Sequence, residues 1–139
     1  MVDTSVLFAA LYRRDSDHEA GLDIVRAADD GSVPELVVLD YVLAETLNGL
    51  TTHAGHEAAV DCLARIEENS RFHVERLTNS GLATAKARFR KHAPFSFVDA
   101  AIVGYIETAE LEFLYAFDDD FDAAKPVTRL DTTTNPHGP

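Results

Sequence analysis

The stretch FLYAFDDDFDAAK, Phe113 to Lys125, decides how the chain is read. Glu112 to Phe117 is a short run rich in aromatic and apolar residues, the composition of a buried strand. It breaks abruptly into Asp118, Asp119 and Asp120, then Phe121, then Asp122. Carboxylates crowded this closely repel one another. A solvated turn or a helix N-terminus tolerates them; a bound cation relieves the repulsion outright.

Working outward, apolar runs alternate with helix-period segments. Met1 to Ser5 reads as a short strand entering a helix through Leu7, Leu11 and Tyr12. Ser16 and Glu19 have capping-box spacing and open a helix that runs to Asp30 and stops at Gly31. Leu36 to Leu39 reads as a buried strand ending at Asp40, and Leu43, Leu47 and Leu50 mark the inner face of the helix that follows. A further helix spans about His56 to Glu68. Phe72 to Leu77 reads as a third strand and Ser80 to Lys91 as a helix, in which Phe89 is expected in the core. Ser96 and Asp99 form a second capping box, opening an apolar helix through Ile102, Val103 and Ile106. Pro126 to Leu130 reads as a fifth strand after the fourth at Glu112. This alternation predicts one α/β domain over residues 1–131, with a central, mainly parallel sheet of four to five strands between helical layers. Residues 132–139 read as a flexible tail.

In such sheets chemistry sits beyond the carboxyl ends of the strands. Asp3, Asp40 and Asp118 each follow an apolar segment, so acids collect on that edge. Taken singly, each acid has an ordinary explanation. Asp3 suits a helix N-cap, Glu45 an exposed helix position, and Asp99 the carboxylate of its capping box.

Taken together, Asp-Thr-Ser after an initial strand, Glu45 in LAETLNGL, FVDAAIVG opening a late helix, and FDDDF after the next strand resemble the PIN-domain ribonucleases. The likeness is strongest to toxins of the VapBC type and extends from Val2 to about Leu130. It implies a three-layer α/β/α fold and catalytic acids at Asp3, Glu45, Asp99 and Asp118. The metal would be held by Asp3, Asp99 and Asp118, with Asp120 as an auxiliary. Asp119 and Asp122 match no functional position of the family and are expected to face solvent. Ala116 stands where the family usually carries Thr or Ser, and only Met1 and Val2 precede Asp3, which leaves a start upstream of Met1 open.

An all-oxygen ligand set selects Mg²⁺ or Mn²⁺ over zinc. The resemblance then implies hydrolysis of RNA phosphodiester bonds by a metal-activated water, leaving 3′-hydroxyl and 5′-phosphate ends, with no side-chain nucleophile. It also implies a homodimer and a cognate antitoxin whose peptide covers the acidic groove. Thr4 and Ser5 are candidates to orient a ligand or a phosphate. Two other roles remain open: a PIN nuclease in RNA processing or decay, and a non-catalytic PIN module that binds RNA or a partner. An aspartyl-phosphate phosphatase fits less well, because its second Asp would fall on Ser5 and no lysine sits at a strand end.

Composition sets the remaining bounds. The chain has 24 acids against 12 bases, a net charge of -12, and three lysines, Lys86, Lys91 and Lys125. That balance resembles the acidic, lysine-poor proteins of salt-loving archaea, and it opposes nucleic-acid binding unless the bases are concentrated. KARFRKHAPFSF, Lys86 to Phe97, concentrates them among phenylalanines. Arg88, Arg90 and Lys91 are therefore the candidate RNA contacts, with Arg13 and Arg14 as a possible extension. The alternative is an ordinary solvated basic face. Cys62 stands alone, which excludes a disulfide within the chain and a thiolate zinc site. The six histidines show no ligand spacing, and His53 and His56 read as surface. No apolar run approaches the roughly 20 residues of a membrane span, and a cytoplasmic location is expected.

Overall fold

The computed structural model describes residues 1–138. In chain order the elements are α1 (Thr4–Leu11), α2 (His18–Asp30), β1 (Leu36–Leu39), α3 (Asp40–Ala54), α4 (His56–Glu68), β2 (Phe72–Glu75), α5 (Asn79–Lys91), α6 (Phe97–Thr108), β3 (Phe113–Tyr115), a 3₁₀ turn (Asp119–Ala123) and β4 (Thr128–Leu130). The strands pair in parallel, β1 with β2 and β3 with β4. Met1 to Asp3 runs between the two pairs. Val2 N–H donates to Val37 O at 3.1 Å, and Asp3 N–H donates to Tyr115 O at 2.9 Å. The expected sheet of four to five strands thus takes the form of two short parallel pairs with a bridging segment between them.

The strands end earlier than the apolar pattern suggests because side chains take the next backbone donors. Leu77 N–H donates to Asp40 Oδ1 at 3.1 Å, and Phe117 N–H donates to Ser5 Oγ at 3.1 Å. Each such bond pulls the chain off its ladder at the carboxyl end, where the acids lie. The main core gathers Val2, Val6, Ile24, Leu36, Leu39, Ile102, Ile106, Leu114 and Phe121, all essentially inaccessible. Burial of this kind contributes about 25 cal/mol per Å² of apolar surface and is the main force holding the helices on the strands.

Three local expectations change. On α3 the buried residues are Val42, Thr46 and Leu50, with Leu43 and Leu47 half-buried, so the inner face is turned by one residue from the leucine stripe. The helix after Asp15 is not opened by a Ser16 capping box. Asp17 is its N-cap, set by a turn in which Asp15 Oδ1 accepts Asp17 N–H at 2.8 Å. Gly31 at φ 82 closes that helix in the left-handed conformation that glycine adopts without strain. Phe89 is not a core residue: it is 47% exposed on the outer face of α5.

Helices α5 and α6 approach closely because both carry glycine at the crossing. A Cβ on Gly104 would lie 2.5 Å from Gly81 O and 3.0 Å from Ala85 N. This closeness fixes the start of α6, and with it Asp99, against the body. Within residues 132–139, expected as a flexible tail, the described residues Thr134, Asn135 and His137 make contacts with the body. Tyr115 Oη donates to Thr134 O at 2.7 Å, Asn135 Nδ2 donates to Ser32 O at 3.1 Å, and His137 meets the Phe113 ring edge-on.

Candidate active site

Beyond the carboxyl ends of the strands lies an open cavity of about 420 Å³ lined by Asp3, Glu45, Asp99 and Asp118, together with Thr4, Ser5, Phe8, Asp15, Asp17 and Ser96. The four acids singled out from sequence therefore meet at one place. Each is delivered by a different element. Asp3 is the N-cap of α1, Glu45 lies in the second turn of α3, Asp99 is in the first turn of α6, and Asp118 caps the 3₁₀ turn.

Asp3 is the most enclosed, at 4% exposure. Its Oδ2 accepts from Ser5 Oγ at 2.7 Å and from Ser5 N–H at 3.2 Å. Ser5 Oγ in turn accepts from Phe117 N–H, so one hydroxyl ties the start of α1 to the segment leading to Asp118. Burial pushes the Asp3 carboxyl up from 3.8 to about 6, with the Asp99 charge adding to it, and no cation offsets the shift. Ser5 is thereby occupied as an orienting group for Asp3. Thr4 Oγ1 is buried with no hydrogen-bond partner, a hydroxyl left free at the wall of the cavity.

Asp99 both caps its helix and lines the acid cavity. Its Oδ2 accepts Ser96 N–H at 3.0 Å while Ser96 Oγ accepts Asp99 N–H at 3.1 Å, completing the capping box. Its carboxyl is nevertheless raised above the usual range, first by burial and then by the charges of Asp118 and Glu45. The capping bonds lower it but do not win. Asp99 is thus positioned by its cap, and burial together with its acidic neighbours disfavours its charge.

The Asp118–Asp122 acids divide into three uses. Asp118 Oδ1 accepts Asp120 N–H at 2.9 Å, which closes the 3₁₀ turn and leaves Asp118 at the cavity. Asp119 and Asp120 are exposed and lie outside the cavity wall, and Asp120 is raised chiefly by the Asp118 charge. Among the described residues, Asp118, Asp119 and Asp120 are the one trio whose carboxylate oxygens lie within 4.8 Å of one another. Asp122 does not simply face solvent: Arg129 clamps it with Nε to Oδ1 at 2.8 Å and Nη2 to Oδ2 at 3.1 Å, holding its carboxyl below the usual range.

The basic strip is placed differently from expectation. Arg88 is ion-paired with Glu107 and also donates to Lys125 O, so its guanidinium braces α5 against α6 and the segment before β4. Lys91 lines a separate cavity with Arg88, His92 and Glu107, and Arg90 is exposed outside the acid cavity. Two wall residues, Asp15 and Asp17, were not anticipated. The only sequence signal was their nearness to α1, whose N-terminus holds Asp3.

The donors present suit a hard divalent ion. They are carboxylate oxygens with one unpartnered hydroxyl, they include a buried acid with no cationic partner, and no His or Cys is among them.

A family model described as PIN domain matches residues 1–125. No curated protein matches the chain. Among solved structures, the chain is similar to that of Mycobacterium tuberculosis VapC20, described as a sarcin–ricin-loop-cleaving toxin. That likeness has 30% identity and a TM-score of 0.76, covering 89% of this chain and 93% of that one. A toxin–antitoxin complex from Klebsiella pneumoniae is similar at 16% identity and TM-score 0.63, covering 96% and 97% of the two chains. VapBC2 from Rickettsia felis, bound to a DNA fragment from its promoter, is similar at 13% identity and TM-score 0.69, covering 94% and 96%. The last two likenesses speak to the fold alone. Among the described residues, no helix is long and apolar enough to cross a membrane.

Proposed function

The chain belongs to the PIN-domain family, and on that premise we propose that it is a divalent-metal-dependent endoribonuclease, the toxin of a toxin–antitoxin pair. The observation that carries this reading is the convergence of Asp3, Glu45, Asp99 and Asp118 on one cavity with no cation among the side chains that line it. Asp3, Asp99 and Asp118 would hold Mg²⁺ or Mn²⁺, with Asp120 in reserve and Thr4 Oγ1 free to join them. When bound, such an ion acidifies water and neutralises charge on a phosphoryl group. The chain supplies the rest. Ser5 fixes the rotamer of Asp3, Ser96 fixes that of Asp99, and the Asp120 N–H fixes that of Asp118.

The substrate class is RNA, and a structured ribosomal loop is the first one to try, given the activity named for the mycobacterial relative. The domain is read as residues 1–131, with the two strand pairs and Met1–Asp3 forming one five-stranded sheet between helical layers. A cognate antitoxin fits two surfaces. A basic side chain would be attracted into the acid cavity, and an apolar helix suits the groove of about 610 Å³ between α1, α2 and α4, lined by Leu7, Leu11, Leu22, Val25, Cys62, Ile66 and Phe72. A homodimer, a cytoplasmic location and salt-adapted acidity complete the proposal.

The test is cleavage of a sarcin–ricin stem-loop and of a generic single strand by purified protein, with Mg²⁺, with Mn²⁺, and with excess chelator. Metal-dependent cuts bearing 5′-phosphates support the reading. Binding of RNA without cleavage under every metal condition would instead support a non-catalytic module.

A further inference from the structure

The acid cavity poses an electrostatic problem for the proposed substrate. Six carboxylates line it, from Asp3, Asp15, Asp17, Glu45, Asp99 and Asp118. A phosphodiester approaching that wall needs cations close by, none lines the wall itself, and several arginines of the chain are already committed elsewhere. Arg88 is held by Glu107 and Arg129 by Asp122 and Asp131. Arg65 and Arg71 pair with Asp61 and Glu35.

Arg13 and Arg14 are different. Both are exposed, and among the described residues neither is ion-paired. Asp15 N–H donates to Tyr12 O at 3.0 Å, which closes a four-residue turn with Arg13 and Arg14 as its two central residues. The turn leads directly into Asp15 and Asp17, which belong to the cavity wall. The two free guanidinium groups are therefore carried on a hydrogen-bonded turn at the rim of the acids.

Beside the turn is a cluster of three rings. Tyr12 lies across His53 with ring centroids 5.8 Å apart and planes 28° apart. Phe8 meets both edge-on, at 5.2 Å from Tyr12 and 5.7 Å from His53. Phe8 lines the acid cavity, while His53 lines the neighbouring hollow on α3, and Glu45 borders both. Gly49 makes room for this arrangement, since a Cβ there would press on the Phe8 ring at 3.3 Å. The rings thus run from the acids out to the arginine turn.

Resting on the ribonuclease reading, we infer that this flank is the subsite that guides single-stranded RNA to the cavity. Arg13 and Arg14 each take a backbone phosphate, and Tyr12 with His53 offers a face on which an unpaired base stacks. Phosphate contacts beside an aromatic platform are the general chemistry by which single strands are held. The flank replaces the α5 strip as the substrate contact, because Arg88 is tied down and none of the strip's basic residues lines the acid cavity.

The experiment compares five proteins on a short fluorescent single-stranded RNA in Mn²⁺ across a range of KCl. They are the parent, Arg13→Gln with Arg14→Gln, Tyr12→Leu, Tyr12→Phe, and a charge-matched control carrying Arg76→Gln with Lys125→Gln. Losing two phosphate contacts should raise KM about tenfold in modest salt and flatten the slope of log KM against log salt by about 1.4, leaving kcat within about twofold. Tyr12→Leu should raise KM on the order of tenfold at every salt concentration, because stacking is not screened, and Tyr12→Phe should restore it. The control should match the parent. A double-arginine variant with parental KM and salt slope overturns the inference while the nuclease stands; because both positions are exposed, that variant decides the matter even if Tyr12→Leu fails to fold. A parent that cleaves no RNA in either metal overturns the ribonuclease reading and the inference together.

Discussion

Asp99 and Asp122 occupy similar local settings and opposite electrostatic ones. Each is an acid near the start of a helical turn, close behind a phenylalanine, in a segment where an acid suits the helix dipole. Asp122 is clamped by Arg129 and its carboxyl is lowered. Asp99 is half-buried beside Asp118 and Glu45, has no cationic partner, and its carboxyl is raised. The chain has half as many bases as acids, and the fold gives Arg129 to Asp122 while no basic side chain lines the cavity. Acid content alone does not mark a site; acids held together without counter-charge do.

The strongest way to break this contrast is to neutralise its two members in turn. Asp99→Asn should lower cleavage by on the order of a thousandfold, since it removes a charge aimed at the reacting centre. The fold should survive, because Asn still accepts Ser96 N–H, and the metal-free protein should melt no lower than the parent. Loss of folding together with retained cleavage in the folded fraction would reduce Asp99 to a cap.

Next in size is the pH response of Asp3. Its folded carboxyl titrates near 6 against 3.8 unfolded, so the folded state holds its proton more tightly. Without metal, this group therefore costs stability as pH rises from about 4 to about 6, by roughly 3 kcal/mol at ~1.36 kcal/mol per unit. Asp3→Asn should remove that part of the pH dependence in urea titrations, and saturating Mn²⁺ should diminish it in the parent. Parallel parent and variant curves across this window would contradict the buried, uncompensated acid.

Smaller still is Arg88→Gln. The pair with Glu107 is about three-quarters buried, so its loss should cost on the order of 1 kcal/mol in stability. RNA affinity should not change. A variant of parental stability but weakened RNA binding would return the α5 strip to its expected role. The smallest effect belongs to Asp122→Asn, which should leave cleavage unchanged and shift thermal unfolding only slightly, because the pair is exposed on the Asp side.

Part of the acid set was legible from the alternation of strands and helices, which carries Asp3 and Asp118 to one sheet edge. Glu45 and Asp99 were picked out only by the resemblance to the PIN-domain ribonucleases, and Asp40, which the same alternation put on that edge, is not among the residues lining the cavity. The rest depended on partners that a one-dimensional pattern does not show. Thr46 is polar yet buried, so the α3 stripe was drawn through Leu43 and Leu47 instead of Val42 and Thr46. Leu77 and Phe117 fit the apolar pattern of strands, but Asp40 and Ser5 capture their N–H groups. The strip at Lys86 to Phe97 looked like one basic surface, whereas Glu107 withdraws Arg88 from it and Phe89 turns outward to meet Phe97 edge-on. Asp15 and Asp17 were missed because the turn after α1 folds them back over the cavity, and a return of that kind leaves no periodic trace.

The central claim is that the cavity acids await a divalent ion that serves catalysis. Its most direct test is Mn²⁺ binding by titration calorimetry, with RNA cleavage measured on the same preparations, for the parent, Asp99→Asn and Asp122→Asn. Parent and Asp122→Asn should bind Mn²⁺ alike and cleave alike, while Asp99→Asn loses both. Unchanged Mn²⁺ affinity and cleavage in Asp99→Asn would contradict the account.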